Sequence, residues 1–175
     1  MKQPLNLLVI SPNSPFESIC GVERHIRNLL KHCPSEDRLR TTIMVPTYGH
    51  GRSERRGNLT IVFSKNLAFS RRSAKAQKEI TAKAARFSQE VSRLIDERTV
   101  DVVCAENFHL GLPAAHNLLL NMVAGIRSVP IVLRLHSFAA TDLQTDRRAR
   151  LCGLNLHAIH NMAVWTQCHL YYAVS

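Results

Sequence analysis

Short runs of strand-forming apolar residues recur along this chain, each followed by a stretch with helical spacing, and that alternation restricts the fold more tightly than any other feature. The first run, Leu5 to Ile10, is closed by Ser11-Pro12-Asn13-Ser14-Pro15, whose prolines end any regular element. Val22, Ile26, Leu29 and Leu30 follow at steps of four, three and one, the inner stripe of a helix predicted from about Gly21 to about Lys31. Thr41 to Val45 and Leu59 to Phe63 are further strand-length runs, and the polar, glycine-containing stretch Tyr48 to Asn58 between them reads as a loop. Strong helix formers then run from about Ala74 to Arg98, with Ile80, Ala84, Phe87, Val91 and Leu94 on one stripe. Val100 to Ala105 reads as a strand, Leu112 to Ile126 as a mostly apolar helix and Ile131 to Leu135 as a strand. Leu154 to Trp165 reads as a buried or half-buried helix before a last strand, His169 to Val174.

Strands interleaved with helices need right-handed crossovers between parallel neighbours, and those crossovers cover both faces of the sheet. The expected fold is α/β, a Rossmann-like three-layer domain around a parallel sheet of about six strands in the order 3-2-1-4-5-6. In that order a crevice opens where the first and fourth strands part, beyond their carboxyl ends. Ser11 to Gly21, Glu106 to Leu110 and His136 to Phe138 should converge there.

With 175 residues, 45% of them hydrophobic and 21% charged, the chain suits one globular domain and not a disordered one. Five cysteines, at positions 20, 33, 104, 152 and 168, include no CxxC pair, so reduced thiols and a cytoplasmic location are expected. The run from Leu5 to Ile10 is too short for a signal-peptide core, and no stretch approaches the roughly 20 apolar residues of a membrane span.

Lysine and arginine number 23 against 13 acidic residues, a formal charge of +10, which leaves an anionic partner open. Residues 51 to 100 hold 12 basic and 5 acidic side chains, a surplus of +7, most of it read as a solvated helix face. The loop positions Arg52, Arg55, Arg56, Arg71 and Arg72 are those that could meet phosphates or the headgroups of an anionic membrane. No aromatic residues interleave with Arg52 to Arg56, and no helix-turn-helix, zinc-finger or RRM signature occurs, so no nucleic-acid partner is expected.

Only Gly21 follows the first strand, so the GxGxxG fingerprint is absent, and GxxxxGK[ST], HExxH and GxSxG are absent too. No metal and no cofactor are expected. What remains are three candidates around the crevice. A helix beginning at Cys20-Gly21 has free N–H groups that can receive a phosphate, although a glycine there also serves a simple turn. His136 directly follows the strand Ile131 to Leu135 and could hydrogen-bond a sugar hydroxyl or a phosphate, or merely cap the loop. Glu106 ends the fourth strand, where a carboxylate could orient or deprotonate an acceptor hydroxyl, or cap a helix. The pairs His157/His160 and His109/His116 read as structural or surface histidines.

Four segments in order resemble a known family. SPNSPFESICGVERHIRNLL resembles a proline-rich first loop followed by GG[VAM]ER and a helix; VDVVCAENFHLG resembles a DVVHAH strand; PIVLRLHSF resembles PVVxTxH; and HLYYAVS resembles a strand ending in AVS. Together they resemble the N-terminal, acceptor-side domain of family 4 glycosyltransferases of the GT-B fold, over nearly the whole chain. The resemblance implies a retaining, metal-independent transferase that moves a sugar from a nucleotide-sugar donor to an acceptor hydroxyl on a glycan or lipid-linked molecule. It assigns donor-diphosphate binding to Cys20 and Gly21, the transferred sugar to His136, and the acceptor to Glu106 with Asn107. Cys20 stands in place of the first glycine, Cys104 in place of the first histidine and Glu106 in place of the second.

Family members carry a second α/β domain with paired glutamates, whereas this sequence stops at Ser175. The expectation is a truncated or split domain, residues 1 to 175, with the donor-binding domain absent and no activity by itself. The rival expectation is a non-catalytic Rossmann-like module that pairs with another chain through residues 151 to 175, which contain no Lys, Arg, Asp or Glu.

Overall fold

The computed structural model describes residues 3–14, 16, 24, 26–28, 31, 32, 38–68, 76–106, 114–135 and 170–173. Seven strands form one sheet: β1 (Leu5–Ile10), β2 (Leu39–Pro46), β3 (Arg52–Arg56), β4 (Leu59–Ser64), β5 (Val102–Glu106), β6 (Ile131–Leu135) and β7 (Leu170–Ala173). Two helices, α1 (Ala76–Arg98) and α2 (Ala114–Ile126), and a 3-10 turn at Lys65–Leu67 complete the described elements. Arg24, Ile26, Arg27, Asn28 and Lys31 are helical, as the spacing before the second strand predicts. The predicted helix Leu154 to Trp165 and the pair Arg71, Arg72 lie outside the described residues.

The strand order is β3-β4-β2-β1-β5-β6-β7. Without β3 this is the expected 3-2-1-4-5-6, and all of its pairings are parallel: Leu8 faces Thr42 on one side and Val103 on the other, and Cys104 faces Val132. The strand β3 is the correction. It pairs antiparallel with β4, from Arg52↔Phe63 to Arg56↔Leu59, and so turns a predicted loop into the sheet's edge. A run of RSERR carries no apolar signal because an edge strand can show both faces to water and blunt its exposed backbone with charge. Gly57 begins the two-residue turn of this hairpin at φ +60, a conformation that costs glycine little.

Central strands are apolar nearly throughout because both faces are covered. Leu8, Ile10, Met44, Val103 and Ala105 pack with Phe87, Val91, Leu94 and Ile95 of α1 and with Leu120 and Ala124 of α2. On the other face Val9, Ile43, Val45, Ile61, Phe63 and Cys104 pack with Ile26. Asp101 aligns the starts of β1 and β5, its N–H donating to the Asn6 carbonyl at 2.9 Å and its carboxylate accepting from the Asn6 N–H at 2.7 Å.

Both helices stop in the same way. Thr99 (φ 50) and Ser128 (φ 54) take the left-handed position, and the next residue's N–H reaches back, Val100 to the Ile95 carbonyl at 3.3 Å and Val129 to the Ala124 carbonyl at 2.9 Å. These are Schellman ends with a side chain where glycine is usual. Arg127 ties the two ends together through a two-pronged bond to Asp96, at 2.8 and 2.9 Å. That guanidinium holds the Asp96 carboxyl below its ordinary range.

Candidate functional site

The chain reverses direction across the sheet between β1 and β5, since β1 leads towards β2 while β5 leads towards β6. Side chains beyond the carboxyl ends of those two strands are therefore brought to one crevice. At the end of β1, Ser11 is buried and its N–H continues the ladder to the Met44 carbonyl at 3.0 Å. Its hydroxyl donates to the Asn13 carbonyl at 2.8 Å and accepts from the Asn13 N–H at 3.4 Å, while the Ser14 hydroxyl accepts from Phe16 N–H at 3.4 Å. Two serine turns thus set the path by which the chain leaves the sheet.

Glu106 is the last residue of β5, in register with Arg134 of β6, and its side chain is wholly enclosed. Residues two apart on a strand share a face, so Cys104 lies beside it, and the thiol donates to Glu106 Oε1 at 3.6 Å. Enclosing a carboxylate is costly unless donors meet it, and this thiol is one such donor.

The opposite face of the same edge carries a larger polar group. Ser64 ends β4 and its hydroxyl donates to Glu90 Oε2 at 2.5 Å; Asn66 Nδ2 donates to Glu90 Oε1 at 2.8 Å; and Asn66 N–H donates back to the Ser64 hydroxyl at 3.1 Å. His116, fully buried in the first turn of α2, donates from Nε2 to the Asn66 carbonyl at 2.9 Å and stands 5.2 Å from the Phe87 ring. Because a carbonyl only accepts, this bond fixes the neutral tautomer with its proton on Nε2. Burial above all, aided by the charge of Lys83 and opposed by the bond to Asn66, pushes the His116 pKa down to about 4.

Of the predicted site residues, Glu106 stands where the sequence places it. Cys20, Gly21, Asn107 and His136 lie outside the described residues. Arg52 and Arg56 stand on β3 rather than a loop, and both bond Glu54, at 2.8 and 3.0 Å, which holds that carboxyl below its ordinary range. Arg52 lies 4.2 Å from the centre of the Phe63 ring and Arg56 5.6 Å from that of Phe16, while Arg55 donates to the Gly57 carbonyl at 3.2 Å. The arginines therefore hold the hairpin, although Arg52 and Arg56 remain 57% and 61% exposed. The Ser64–Asn66–Glu90–His116 group escaped the sequence because its members are scattered over four elements, with Asn66 and His116 alone 50 positions apart. Among the described residues no group of three or more His, Cys, Asp or Glu side chains is placed to hold a metal ion.

No protein-family model and no curated protein matches this sequence. Solved structures do resemble it. The UDP-GlcNAc 2-epimerase of Neisseria meningitidis, bound to UDP-GlcNAc, matches with a TM-score of 0.51 at 9% identity, over 97% of this chain and 40% of its own. The α,α-trehalose-phosphate synthase (UDP-forming) of Burkholderia xenovorans, in complex with glucose-6-phosphate, matches with a TM-score of 0.54 at 12% identity, over 95% of this chain and 39% of its own. The fold is that of a GT-B Rossmann-like domain. At such identities the likeness establishes the fold alone, and this chain spans 40% or less of the length of either protein. None of its described helices is long and apolar enough to cross a membrane.

Proposed function

We propose that this chain is the N-terminal, acceptor-side domain of a family 4 glycosyltransferase, serving a retaining, metal-independent transfer from a nucleotide-sugar donor to an acceptor hydroxyl. The observation that carries the reading is the strand order, because it brings the end of β1, with its serine-proline turn, beside the end of β5, with Glu106. The four sequence segments that resemble the family fall on those same strand ends and on the ends of β6 and β7. Nucleotide-sugar proteins share this fold, which agrees with the reading without establishing it.

In the complete enzyme the backbone amides of Cys20 and Gly21 face the donor's diphosphate, where a helix start supplies unpaired N–H groups and positive potential. His136 hydrogen-bonds the transferred sugar. Glu106, enclosed here, meets the acceptor together with Asn107 when the crevice is occupied. Rate enhancement depends on holding donor and acceptor together while charge on the departing diphosphate is stabilised, and one half of the cleft supplies neither. The chain alone is therefore inactive, and the donor-binding half lies in a second α/β domain. Alanine at His136 in a protein carrying both halves should lower turnover at least 100-fold; unchanged turnover refutes that role. The exposed arginines of β3 also suit peripheral contact with an anionic membrane bearing a lipid-linked acceptor. Binding to anionic vesicles that ignores salt would count against it.

A second reading, a non-catalytic module paired with another chain, is favoured by one observation. Leu118, Met122 and Ile126 form an exposed apolar stripe on α2, 43%, 48% and 76% accessible. Light scattering after size exclusion decides: a stable monomer that binds no partner chain argues for the transferase domain.

A further inference from the structure

The crevice reading makes no use of His116, yet this residue joins three elements. It lies in the first turn of α2, at the end of the helix that follows β5, and no other ionisable residue occurs in that helix. From α1 it faces the Phe87 ring and the charge of Lys83, whose ammonium donates to the Ala68 carbonyl at 2.7 Å and pairs with Glu79 at 3.0 Å. From the corner after β4 it faces the Asn66 carbonyl, while the Asn66 side chain is held by Glu90; Lys65 of the same 3-10 turn points to water. Both Glu90 oxygens already accept bonds from Ser64 and Asn66. A second proton on the imidazole would place a cation beside Lys83 in an enclosed space, where desolvation and like charge both oppose it.

We propose that His116 is an acid-released latch: while neutral it pins the first turn of α2 to the β4 corner, and when protonated it lets that turn open with the sheet still folded. The proton comes from water and adds at Nδ1, and the Nε2–H bond to Asn66 is exchanged for bonds to solvent as the ring leaves. The proposal does not depend on the glycosyltransferase reading. It places a pH-sensitive joint at the carboxyl edge of the sheet, where β5 hands the chain to α2.

Amide hydrogen exchange on the 175-residue chain tests it, read at residues 118 to 121, whose N–H groups bond the carbonyls of that first turn. After correction for intrinsic rates, a pinned ring titrating at about 4 and a released one at 6.5 give about 20-fold more opening at pH 5 than at pH 7. Amides of β1 and β2 should change less than threefold. His116→Gln, which keeps an amide donor but cannot titrate, should show a flat profile, and His116→Phe should exchange fast at both pH values. Equal acceleration in β1 and β2 would overturn the proposal, since the proton would then act on global stability alone. So would an unchanged rate at 118 to 121 in the wild-type chain, a measurement that stands even if the phenylalanine variant fails to fold.

Discussion

The two helices on one face of the sheet bury opposite chemistry. Helix α1 turns Ala84, Phe87, Val91, Leu94 and Ile95 inward, keeps Lys83 mostly covered, and shows water the ion pair Arg93–Glu97. Helix α2 encloses His116, Asn117 and Asn121 along with Leu120 and Ala124, and exposes Leu118, Met122 and Ile126. An inward polar face is tolerable only where partners wait. His116 finds the Asn66 carbonyl and Asn121 Nδ2 finds the Asn117 carbonyl at 3.0 Å, whereas Asn121 Oδ1 accepts no bond among the described residues. The fully buried side chains of the first helix contribute only area removed from water, its directed bonds falling to the partly buried Lys83 and Glu90, whereas the second helix encloses a titratable ring as well.

The sharpest way to break this contrast is Phe87→Ala, which removes a wholly buried ring that α1 lends to both helices. It should cost about 4 kcal/mol, read as a lowered urea midpoint with unchanged slope. A loss under about 1 kcal/mol would mean that the core of α1 is not what holds that layer.

Acid should act through α2. The folded His116 titrates at about 4 and the unfolded side chain near 6.5, so between these values the unfolded state binds the extra proton. Its contribution is whole above about pH 6.5 and declines as pH falls towards 4, for a total on the order of 3 kcal/mol. Urea titrations at pH 7 and pH 4.5 check this, and His116→Gln should lack that part of the slope.

Helix ends offer a smaller test in the stabilising direction. A branched side chain at φ 50 is strained, so Thr99→Gly should raise stability by about 1 kcal/mol, and Ser128→Gly by somewhat less. Thermal melts that fall in both variants would show that other contacts of these side chains outweigh the strain.

The smallest effect is expected on the outer face of α2. Leu118→Gln and Met122→Gln should change stability by less than about 0.5 kcal/mol, since neither side chain gives up much enclosed area. If the apolar stripe is covered by a partner, the same changes instead weaken that complex, which sedimentation would detect.

Much of this is legible in the sequence. The parallel sheet and its layers followed from apolar runs alternating with helical stripes, because a parallel pair requires a crossover and crossovers have one hand, while the order of the six parallel strands is the usual one for such a fold. The end of β5 at Glu106 was legible for the same reason. The strand β3 was not, since RSERR at an edge buries too little to leave an apolar pattern. Nor was the facing of α2, whose uncharged sequence reads simply as apolar; the partner of His116, 50 positions away, decides which side turns inward. The expected roles of Cys20, Gly21, Asn107 and His136 rest on the family resemblance.

Sequence by itself determined the layers and the parallel core of the sheet, because burial on two faces and the handedness of crossovers are local and statistical constraints written along the chain. Tertiary structure alone decided which polar groups meet. Directed bonds need atoms within about 3 Å, and only the packed sheet brings Ser64, Asn66, Glu90 and His116, or Cys104 and the enclosed Glu106, to such separations.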